Sequence, residues 1–233
     1  MYTILCIMTC RHFLKKNEWI TNVLGLREHK VRSNPLVSVE LTELRKKGIA
    51  AMITHLRLKA YGKINLALDV LGRRDNGYHD VRMIMQTVGL HDRIELYRTK
   101  EPGIRLETNL FYLPNNEQNL AYRAAALLME EFGVKEGVSI KLKKFIPVSA
   151  GMAGGSTDAA AVLFGVNKMF GLGLSIKELM ERGVKLGADI PYCLMRGTAL
   201  SEGIGEELTP LPQIPQCQVL IAKPGISVST KVV

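Results

Sequence analysis

A glycine-rich stretch near the middle of the sequence, PVSAGMAGGSTDAAA at residues 147–161, has the residue types and spacing to bind an anion. Glycine weakens any regular element that it interrupts, so a cluster of it indicates a backbone with a special task. The alternating segment GVSIKL before the cluster predicts a strand, and the alanine-rich run after it predicts a helix. Backbone N–H groups at the positive end of that helix dipole, unobstructed by Cβ atoms, would suit a phosphate group.

The spacing of these glycines matches neither the G-x-x-x-x-G-K-[ST] loop nor the dinucleotide-binding fingerprint. Ser156, Thr157 and Asp158 are predicted to cap the helix, and the Ser156 hydroxyl is also a candidate ligand for Mg²⁺. Asp158 is interpreted as a first-turn helix residue, because a second carboxylate beside phosphates would repel them. The residues alone predict a phosphate-binding loop, with a flexible connecting turn as the alternative.

Asp189 is a candidate functional carboxylate because of its position. It follows a predicted helix that ends in KLG and precedes Pro191, so its charge would face the negative end of the helix dipole. An acidic residue in that unfavourable place indicates a function. Lys63 and Asn65 lie two residues apart on a predicted strand and therefore face the same side. Taken alone, Lys63 reads as an ordinary lysine on a strand surface.

The elements that would position these residues are a mixture of strands and helices. The segments RLKAYGKINLALDVL, VRMIMQTVGL, DRIELYR and CQVLIAKPG read as strands. NLAYRAAALLMEEFG reads as a helix that stops at Gly133, and SIKELMERGVKLG as one that opens with a Ser175–Glu178 capping box. Strands and helices without a regular βαβ repeat predict an α+β fold.

Composition narrows the class of protein. The chain has 233 residues, of which 47% are hydrophobic, so it can bury one large core or two small ones. No apolar run approaches the ~18 residues that a membrane span needs. The four cysteines form no C-x-x-C pair and nothing marks the chain as secreted, so reduced thiols and a cytoplasmic location are expected. A zinc site is not expected.

The formal net charge of +9 does not by itself indicate a nucleic-acid partner. Residues 1–52 have nine Lys and Arg against four Glu, which places +5 there and leaves +4 for the rest. Attraction of nucleotide phosphates explains an excess of that size. The sequence shows no interleaving of basic and aromatic residues of the kind that single-strand binders use. A small-molecule substrate is therefore expected, with no nucleic acid and no membrane.

Three motifs resemble a known family. Residues 147–161 are similar to the P-x-x-x-G-L-[GA]-G-G-S-[SA]-D-A-A loop of the galactokinase, homoserine kinase, mevalonate kinase and phosphomevalonate kinase superfamily, with Met152 in place of leucine and Thr157 in place of serine or alanine. Residues 60–96 and 187–208 resemble, within that superfamily, the 4-diphosphocytidyl-2-C-methyl-D-erythritol kinases. The resemblance extends over about residues 56–233.

The resemblance implies ATP and Mg²⁺ as cofactors and assigns roles to matching residues. Asp189 matches the catalytic aspartate that accepts the proton of the substrate hydroxyl, and Lys63 matches the catalytic lysine that favours the ionised carboxylate and the developing alkoxide. Ser156 would contribute its hydroxyl to Mg²⁺. The residues expected to surround the ATP phosphates are Pro147, Val148, Ser149, Ala150, Gly151, Met152, Ala153, Gly154, Gly155, Ser156 and Thr157.

The same resemblance assigns substrate contacts. Asn65 would face the cleft beside Lys63. Tyr78 and His79, in the predicted turn DNGYH, match positions that hold the cytidine end, and Thr230 matches a substrate-contacting threonine. These assignments imply phosphorylation of the 2-hydroxyl of a cytidine diphosphate-linked methylerythritol in isoprenoid precursor synthesis. Another small-molecule kinase of the superfamily, or a noncatalytic nucleotide- or RNA-binding module, is the alternative.

The family also implies a domain division. Residues 53–210 are expected to form the N-terminal kinase domain, and residues 211–233 the start of a ferredoxin-like C-terminal domain, with the boundary in PLPQIP. The chain is therefore expected to be C-terminally truncated. Residues 1–52 lack a sustained period and are expected to be a disordered extension or translated upstream sequence, with Met52 as the true start; a targeting peptide is the alternative.

Overall fold

A computed structural model describes residues 5–10, 53–75, 77 and 79–222 of the chain. Its strands are β1 (Leu5–Cys10), β2 (His55–Arg73), β3 (His79–Thr99), β4 (Gly103–Thr108), β5 (Gly137–Lys143), β6 (Thr198–Glu202), β7 (Glu207–Leu211) and β8 (Cys217–Ala222). Its helices are α1 (Leu120–Glu131), α2 (Gly154–Phe170), α3 (Ile176–Gly183) and α4 (Ile190–Met195). This mixture confirms the predicted α+β fold.

The long strand β3 organises the main sheet. β2 pairs with it antiparallel from His55↔Tyr97 to Arg73↔His79. On the other edge of β3, its second half pairs with β5 and its first half with β6, both antiparallel. β4 lies parallel to β5, and β7 lies antiparallel to β6. The described residues thus form a six-stranded sheet in which the two predicted strands VRMIMQTVGL and DRIELYR are parts of β3.

The helices cover one face of this sheet and form the main core with it. Alternate residues of β2 and β3, such as Leu58 and Leu96, are buried there beneath α2, while α1 packs on α2 and β4 and α4 on α2 and β2. Helix α2 lies at the centre because it packs on both strands and on all three other helices. Gly165 permits the close approach, since a Cβ at that position would lie 2.3 Å from Leu96 Cδ1. The sheet and α2 therefore form a rigid base for whatever lies at the start of α2.

A second, smaller cluster lies beside the start of α2. It joins Ile64 of β2, Val88 of β3 and Ile146 to Val219 of β8. β8 pairs antiparallel with β1, which lies in the segment expected to be a disordered extension. At residues 5–10 the structure therefore differs from that expectation. Residues 212–216 connect β7 to β8, where a domain boundary was predicted; the domain division itself stays a prediction.

Several elements were not predicted. β4, β6, β7 and α4 are short, with five or six residues each, so periodicity has few repeats from which to detect them. The capping box at Ser175 and Glu178 is confirmed, but α3 ends at Gly183, short of the predicted KLG. In the described ranges no helix is both long and apolar enough to cross a membrane.

Candidate active site

The glycine-rich loop leads directly into α2, which begins at Gly154. The residue before the helix, Ala153, has a left-handed backbone conformation with φ 55°, and no side chain caps the helix start. Ser156, Thr157 and Asp158 are the third to fifth residues of the helix, so their predicted capping role is wrong. The helix begins at Gly154, with the left-handed Ala153 before it, and so extends further toward the loop than the side-chain caps suggested.

The start of α2 offers unpaired backbone donors. The first intrahelical hydrogen bond runs from Thr157 N to Ala153 O over 2.8 Å. The N–H groups of Gly154, Gly155 and Ser156 therefore precede the hydrogen-bonded ladder and have no acceptor within the helix. They lie at the positive end of a 17-residue helix dipole, an arrangement that favours a phosphate group.

The loop before the helix has a strained backbone that buried side chains hold in place. Ser149, Gly151 and Ala153 all have left-handed φ angles, of 54°, 66° and 55°. Such conformations cost free energy for residues other than glycine and persist where the surroundings fix them. Ala150 and Met152 alternate with the left-handed residues and are buried in the second cluster. The loop is thereby shaped before any ligand arrives.

The loop is also joined to β2 at the candidate catalytic lysine. The backbone N–H of Lys63 donates to Met152 O over 3.1 Å, at a point where the pairing of β2 with β3 is irregular. Gly62 lies close to the loop here: a Cβ there would lie 3.3 Å from Ile146 Cδ1, a tight contact, and 3.5 Å from Met152 O, an ordinary one. The irregularity in β2 thus places Lys63 against the loop.

Lys63 forms an ion pair with Asp189. Lys63 Nζ lies 3.7 Å from Asp189 Oδ1, with 7% of the lysine side chain and 34% of the aspartate side chain exposed. The ammonium group also donates to Asn65 Oδ1 over 3.1 Å. The structure therefore brings Lys63, Asn65 and Asp189 together beside the loop. A mostly buried cation next to a partly exposed carboxylate leaves the carboxylate oxygens accessible to an incoming hydroxyl.

The sequence argument that singled out Asp189, an unfavourable position at the negative end of a helix dipole, was wrong. Asp189 is the N-cap residue of α4, at the positive end of that short helix, and its side chain makes no capping hydrogen bond. The preceding helix ends at Gly183, so Asp189 does not face its negative end. Pro191 fits the first turn of α4, where a missing N–H costs nothing. The carboxylate is directed to Lys63 and not to its own backbone.

Helix α4 is fixed at its far end by a buried polar network. The Tyr192 hydroxyl donates to Gly197 O over 2.7 Å, and Thr87 Oγ1 accepts from Gly197 N over 3.1 Å. Burial raises the pKa of Tyr192, which keeps this hydroxyl protonated as a donor. The Arg196 guanidinium donates to Lys59 O over 3.2 Å and lies over the Tyr61 ring. These contacts tie α4, and so Asp189, to β2 and β3.

Comparison with known proteins agrees with this geometry. Residues 119–197 match the GHMP kinases N terminal domain. This part of the chain is therefore similar to the N-terminal domain of the GHMP kinases. The match extends from the residue before α1 to the residue before β6, and it includes the glycine-rich loop, the start of α2 and Asp189.

Two further proteins are similar to most of the chain. A protein of Lachnospira eligens named 4-diphosphocytidyl-2-C-methyl-D-erythritol kinase is 61% identical over 178 residues, which are 76% of this chain and 62% of that protein. A protein of the same name from Clostridium perfringens is 52% identical over 176 residues, 76% of this chain and 61% of that protein. The chain spans about three fifths of the length of the curated relatives that it matches.

Solved structures give the same fold. A 4-(cytidine 5'-diphospho)-2C-methyl-D-erythritol kinase matches with a TM-score of 0.59 and 37% identity, covering 66% of this chain and 55% of the other. A homoserine kinase from Cytophaga hutchinsonii matches with a TM-score of 0.62 and 18% identity, covering 80% of this chain and 61% of the other. The second likeness concerns the fold alone.

The predicted substrate-contacting residues differ in their distance from the Lys63–Asp189 pair. His79 is exposed at the first position of β3, eight residues before Thr87, which pairs with Lys63. At ~3.3 Å per residue this is roughly 26 Å of strand path. The structure therefore does not bring His79 into contact with the Lys63–Asp189 pair. Tyr78 and Thr230 lie outside the described residues. Ser156 is the third residue of α2, beside the unpaired N–H groups.

Sequence reasoning missed a buried charged triad beneath the glycine-rich loop. Asp92, Lys144 and Asp158 are all at least 92% buried and form ion pairs centred on the lysine. Asp158 was interpreted only as a first-turn residue on the helix. A signal was present: Asp92 is in phase with buried Ile94 and Leu96 of β3, and Lys144 continues the buried alternation of β5. A charge in phase with a core face indicates a buried ionic contact.

Proposed function

We propose that this protein is an ATP-dependent kinase that phosphorylates the 2-hydroxyl of 4-diphosphocytidyl-2-C-methyl-D-erythritol. The observation that carries the proposal is the Lys63–Asp189 pair, with Nζ and Oδ1 3.7 Å apart, beside a loop that presents backbone donors at a helix start. Relatives bearing that kinase name are 51–61% identical over 176–178 residues, about three quarters of this chain. Catalysis of phosphoryl transfer depends mainly on positioning and on electrostatic stabilisation of this kind.

The start of α2 is the proposed site for the ATP phosphates. The N–H groups of Gly154, Gly155 and Ser156 would donate to phosphate oxygens, and the exposed loop residues from Pro147 to Ser149 would flank them. Mg²⁺, when bound, would neutralise charge on neighbouring phosphate oxygens. The Ser156 hydroxyl fits such an ion, because Mg²⁺ keeps several waters and needs few protein ligands.

Asp189 is the proposed acceptor of the hydroxyl proton. Its carboxylate is about one-third exposed, so a substrate hydroxyl can reach it, and Lys63 stabilises the ionised form. As the proton leaves, the Lys63 ammonium also stabilises the negative charge that develops on the substrate oxygen. Asn65 accepts from the ammonium group and so limits its orientations. Hydroxyl activation and phosphate binding would then occur on adjacent surfaces.

The proposed substrate is long enough to use the hairpin formed by β2 and β3. A cytidine diphosphate linked to methylerythritol has its reacting hydroxyl at one end and its base at the other. His79 lies along that hairpin from Lys63, in a part of it where Leu68 and Leu71 are also exposed. Roles for His79, Tyr78 and Thr230 at the cytidine end remain predictions from the family resemblance.

A substrate panel tests the proposal on the full chain. Transfer of the γ-phosphoryl group from ATP would be measured with the cytidine-linked substrate, with unlinked methylerythritol, with homoserine and with mevalonate. We expect transfer to the cytidine-linked substrate alone. Transfer only to homoserine or mevalonate would move the protein to another branch of the GHMP kinases. Saturable ATP binding with no transfer to any acceptor would indicate the noncatalytic alternative.

A further inference from the structure

The triad of Asp92, Lys144 and Asp158 connects the two ends of the glycine-rich loop. Lys144 precedes the loop in the chain, and its Nζ donates to Asp158 Oδ2 of α2 over 2.6 Å. The same ammonium group also donates to Asp92 Oδ2 of β3. The Lys144 side chain is 4% exposed, so water does not screen these contacts. One buried cation therefore joins the entry of the loop to the helix at its exit.

Asp92 also binds the backbone that leads into the loop. Its other oxygen, Oδ1, accepts from Ile146 N over 2.8 Å and from Phe145 N. These two residues lead directly into Pro147, the first residue of the loop. The backbone of Lys144 is fixed by Asn109, whose Oδ1 accepts from Lys144 N over 2.7 Å. The chain thus enters the loop from a backbone that cannot shift without breaking several buried hydrogen bonds.

The exit of the loop rests on the same lysine. A Cβ at Gly154, the first residue of α2, would lie 3.1 Å from Lys144 Nζ and 3.2 Å from Ile146 Cγ2. The helix start therefore packs closely on Lys144 and Ile146, and a larger residue would fit only if these side chains shifted. A change in the position of Lys144 would move the N–H groups at the start of α2.

Burying three charges is a poor way to gain stability alone. Removing ions from water is costly, and well-packed neutral residues of similar volume are often equally stable or more stable. Asp158 Oδ1 has no hydrogen-bond partner although it is buried, so the triad is not fully satisfied even here. Directional ionic contacts fix geometry in a way that apolar packing does not. A loop with three left-handed residues is a place where that geometry matters.

We propose that Asp92, Lys144 and Asp158 are positioning residues that clamp both ends of the loop and so place the N–H groups of Gly154, Gly155 and Ser156 for the nucleotide phosphates. The proposal rests on the kinase function proposed above. The triad does not touch the phosphates in this account. It acts through the backbone of the loop and of the first turn of α2.

The first test compares two neighbouring lysines. Lys144→Met removes the clamp, whereas Lys143→Met removes an exposed lysine whose Nζ lies 5.7 Å from the centre of the Phe145 ring. Amide hydrogen exchange of residues 147–156 would be measured without nucleotide, and affinity for a non-hydrolysable ATP analogue with Mg²⁺ would be measured by calorimetry. We expect faster exchange and about tenfold or more weaker binding in Lys144→Met, because small displacements in such sites have large effects. Lys143→Met should match the wild type within about twofold.

A neutral variant covers the case in which Lys144→Met fails to fold with two uncompensated carboxylates. The combination Asp92→Asn, Lys144→Met and Asp158→Asn keeps the shapes, removes the charges and retains an Asn acceptor for Phe145 N and Ile146 N. We expect it to be folded, with fast loop exchange, a raised KM for ATP and a smaller change in kcat. The single variant Asp158→Asn keeps Lys144 and an acceptor for its ammonium group. Its loop should therefore remain almost as protected from amide hydrogen exchange as the loop of the wild type.

The two proposals fail in different ways. A folded neutral variant with the exchange and nucleotide affinity of the wild type would overturn the clamp and leave the kinase function intact. A wild-type chain that binds no nucleotide would contradict the kinase function. In that event the role of the triad for nucleotide would fall with it, while loop exchange would still decide whether the triad holds the loop.

Discussion

Two parts of the β2–β3 pair differ sharply. Around Lys63, near the middle of β2, the loop, β2 and α2 are joined by buried ionic and backbone contacts, and Lys63 itself is buried. At the far end, Leu68, Val70 and Leu71 are 48–59% exposed, and the residues of β2 around them are exposed on both faces. A strand with few buried contacts opens locally at low free-energy cost. The proposed phosphate side is preorganised, and the proposed cytidine side is not.

This contrast indicates where chemistry and substrate specificity would reside under the proposed function. Preorganised donors contribute most where charge develops during a reaction, because they need not reorganise. The exposed part of β2, residues 67–73, is called the arm below; with few buried contacts it can adapt to an elongated substrate. Variants at the loop should therefore affect catalysis or stability strongly, and variants on the arm weakly.

The largest effect is expected from Asp189→Asn. The amide keeps the shape of the carboxylate but cannot accept the proton, so kcat should fall about 10² to 10⁴-fold, the usual range for a general base. Nucleotide affinity should be nearly unchanged, because Asp189 lies 3.7 Å from Lys63 and outside the loop. Steady-state kinetics with the cytidine-linked substrate and calorimetry with an ATP analogue measure the two quantities. Asp69→Asn, on the exposed arm, is the matched control; a loss below about threefold at Asp189 would remove its role.

A smaller but clear effect is expected from Gly154→Ala. The added Cβ would lie 3.1 Å from Lys144 Nζ and 3.2 Å from Ile146, so overpacking should lower the free energy of unfolding by about 1–3 kcal/mol. Gly72→Ala on the arm is the control, since nothing lies within 4 Å of its Cβ position. Urea denaturation of both variants measures the difference. Equal stabilities would mean that the start of α2 is not tightly packed on the triad.

The triad should also give a pH dependence. Burial raises the pKa of Asp158 well above its ordinary value; Lys144 opposes the shift and the Asp92 carboxylate adds to it. A raised folded-state pKa contributes stability that is fully present below the unfolded pKa and is lost as pH rises through the folded value. Asp158→Asn removes this loss, so the variant should be more stable than the wild type at pH 7. The difference should vanish below about pH 4, near the unfolded value of an aspartate.

Denaturation of the wild type and Asp158→Asn across that pH range is the measurement. Lys144 adds a check at the alkaline end. Burial lowers its pKa, but the Asp158 and Asp92 carboxylates outweigh burial and raise it. The stability that Lys144 contributes to the folded state should therefore be present below about pH 10.5 and be lost as the pH rises above that value. A variant no more stable than the wild type at pH 7 would show that Asp158 is not held in an unfavourable charged state.

The smallest effect is expected on the arm. Leu71→Ser replaces an exposed leucine, so the free energy of unfolding should change by less than about 0.5 kcal/mol. The KM for the cytidine-linked substrate should rise more than the KM for ATP, because the arm is the proposed cytidine side. Parallel kinetics with each substrate varied would measure this. A large loss of stability would show that the arm is as firmly packed as the loop.

Much of the fold followed from the sequence because its long elements carry many repeats of their period. β2, β3, α1 and α2 were each predicted from alternation or helical spacing, and the capping box at Ser175 was visible in the residues alone. The single strand β3 was predicted as two strands, residues 81–90 and 92–98, with His91 left between them. Tertiary pairing with β2, β5 and β6 joins them into one strand.

The candidate site was less accessible to sequence reasoning. The glycine-rich loop was predicted from its clustered glycines between a predicted strand and a predicted helix. Lys63 and Asp189, however, are 126 positions apart, and only the family resemblance connected them. Their contact depends on the irregularity in β2 and on α4, a six-residue helix too short to predict. Lys144 was missed because a buried lysine is rare and needs partners from two distant segments.

The central claim is that the ATP phosphates lie at the start of α2, facing the Lys63–Asp189 pair. A crystal structure of the full chain with a non-hydrolysable ATP analogue and Mg²⁺ tests it most directly. The account predicts phosphate oxygens within hydrogen-bond distance of the N–H groups of Gly154, Gly155 and Ser156, with the γ-phosphate on the side of Asp189. Phosphates bound elsewhere, or a γ-phosphate directed away from Lys63 and Asp189, would contradict it.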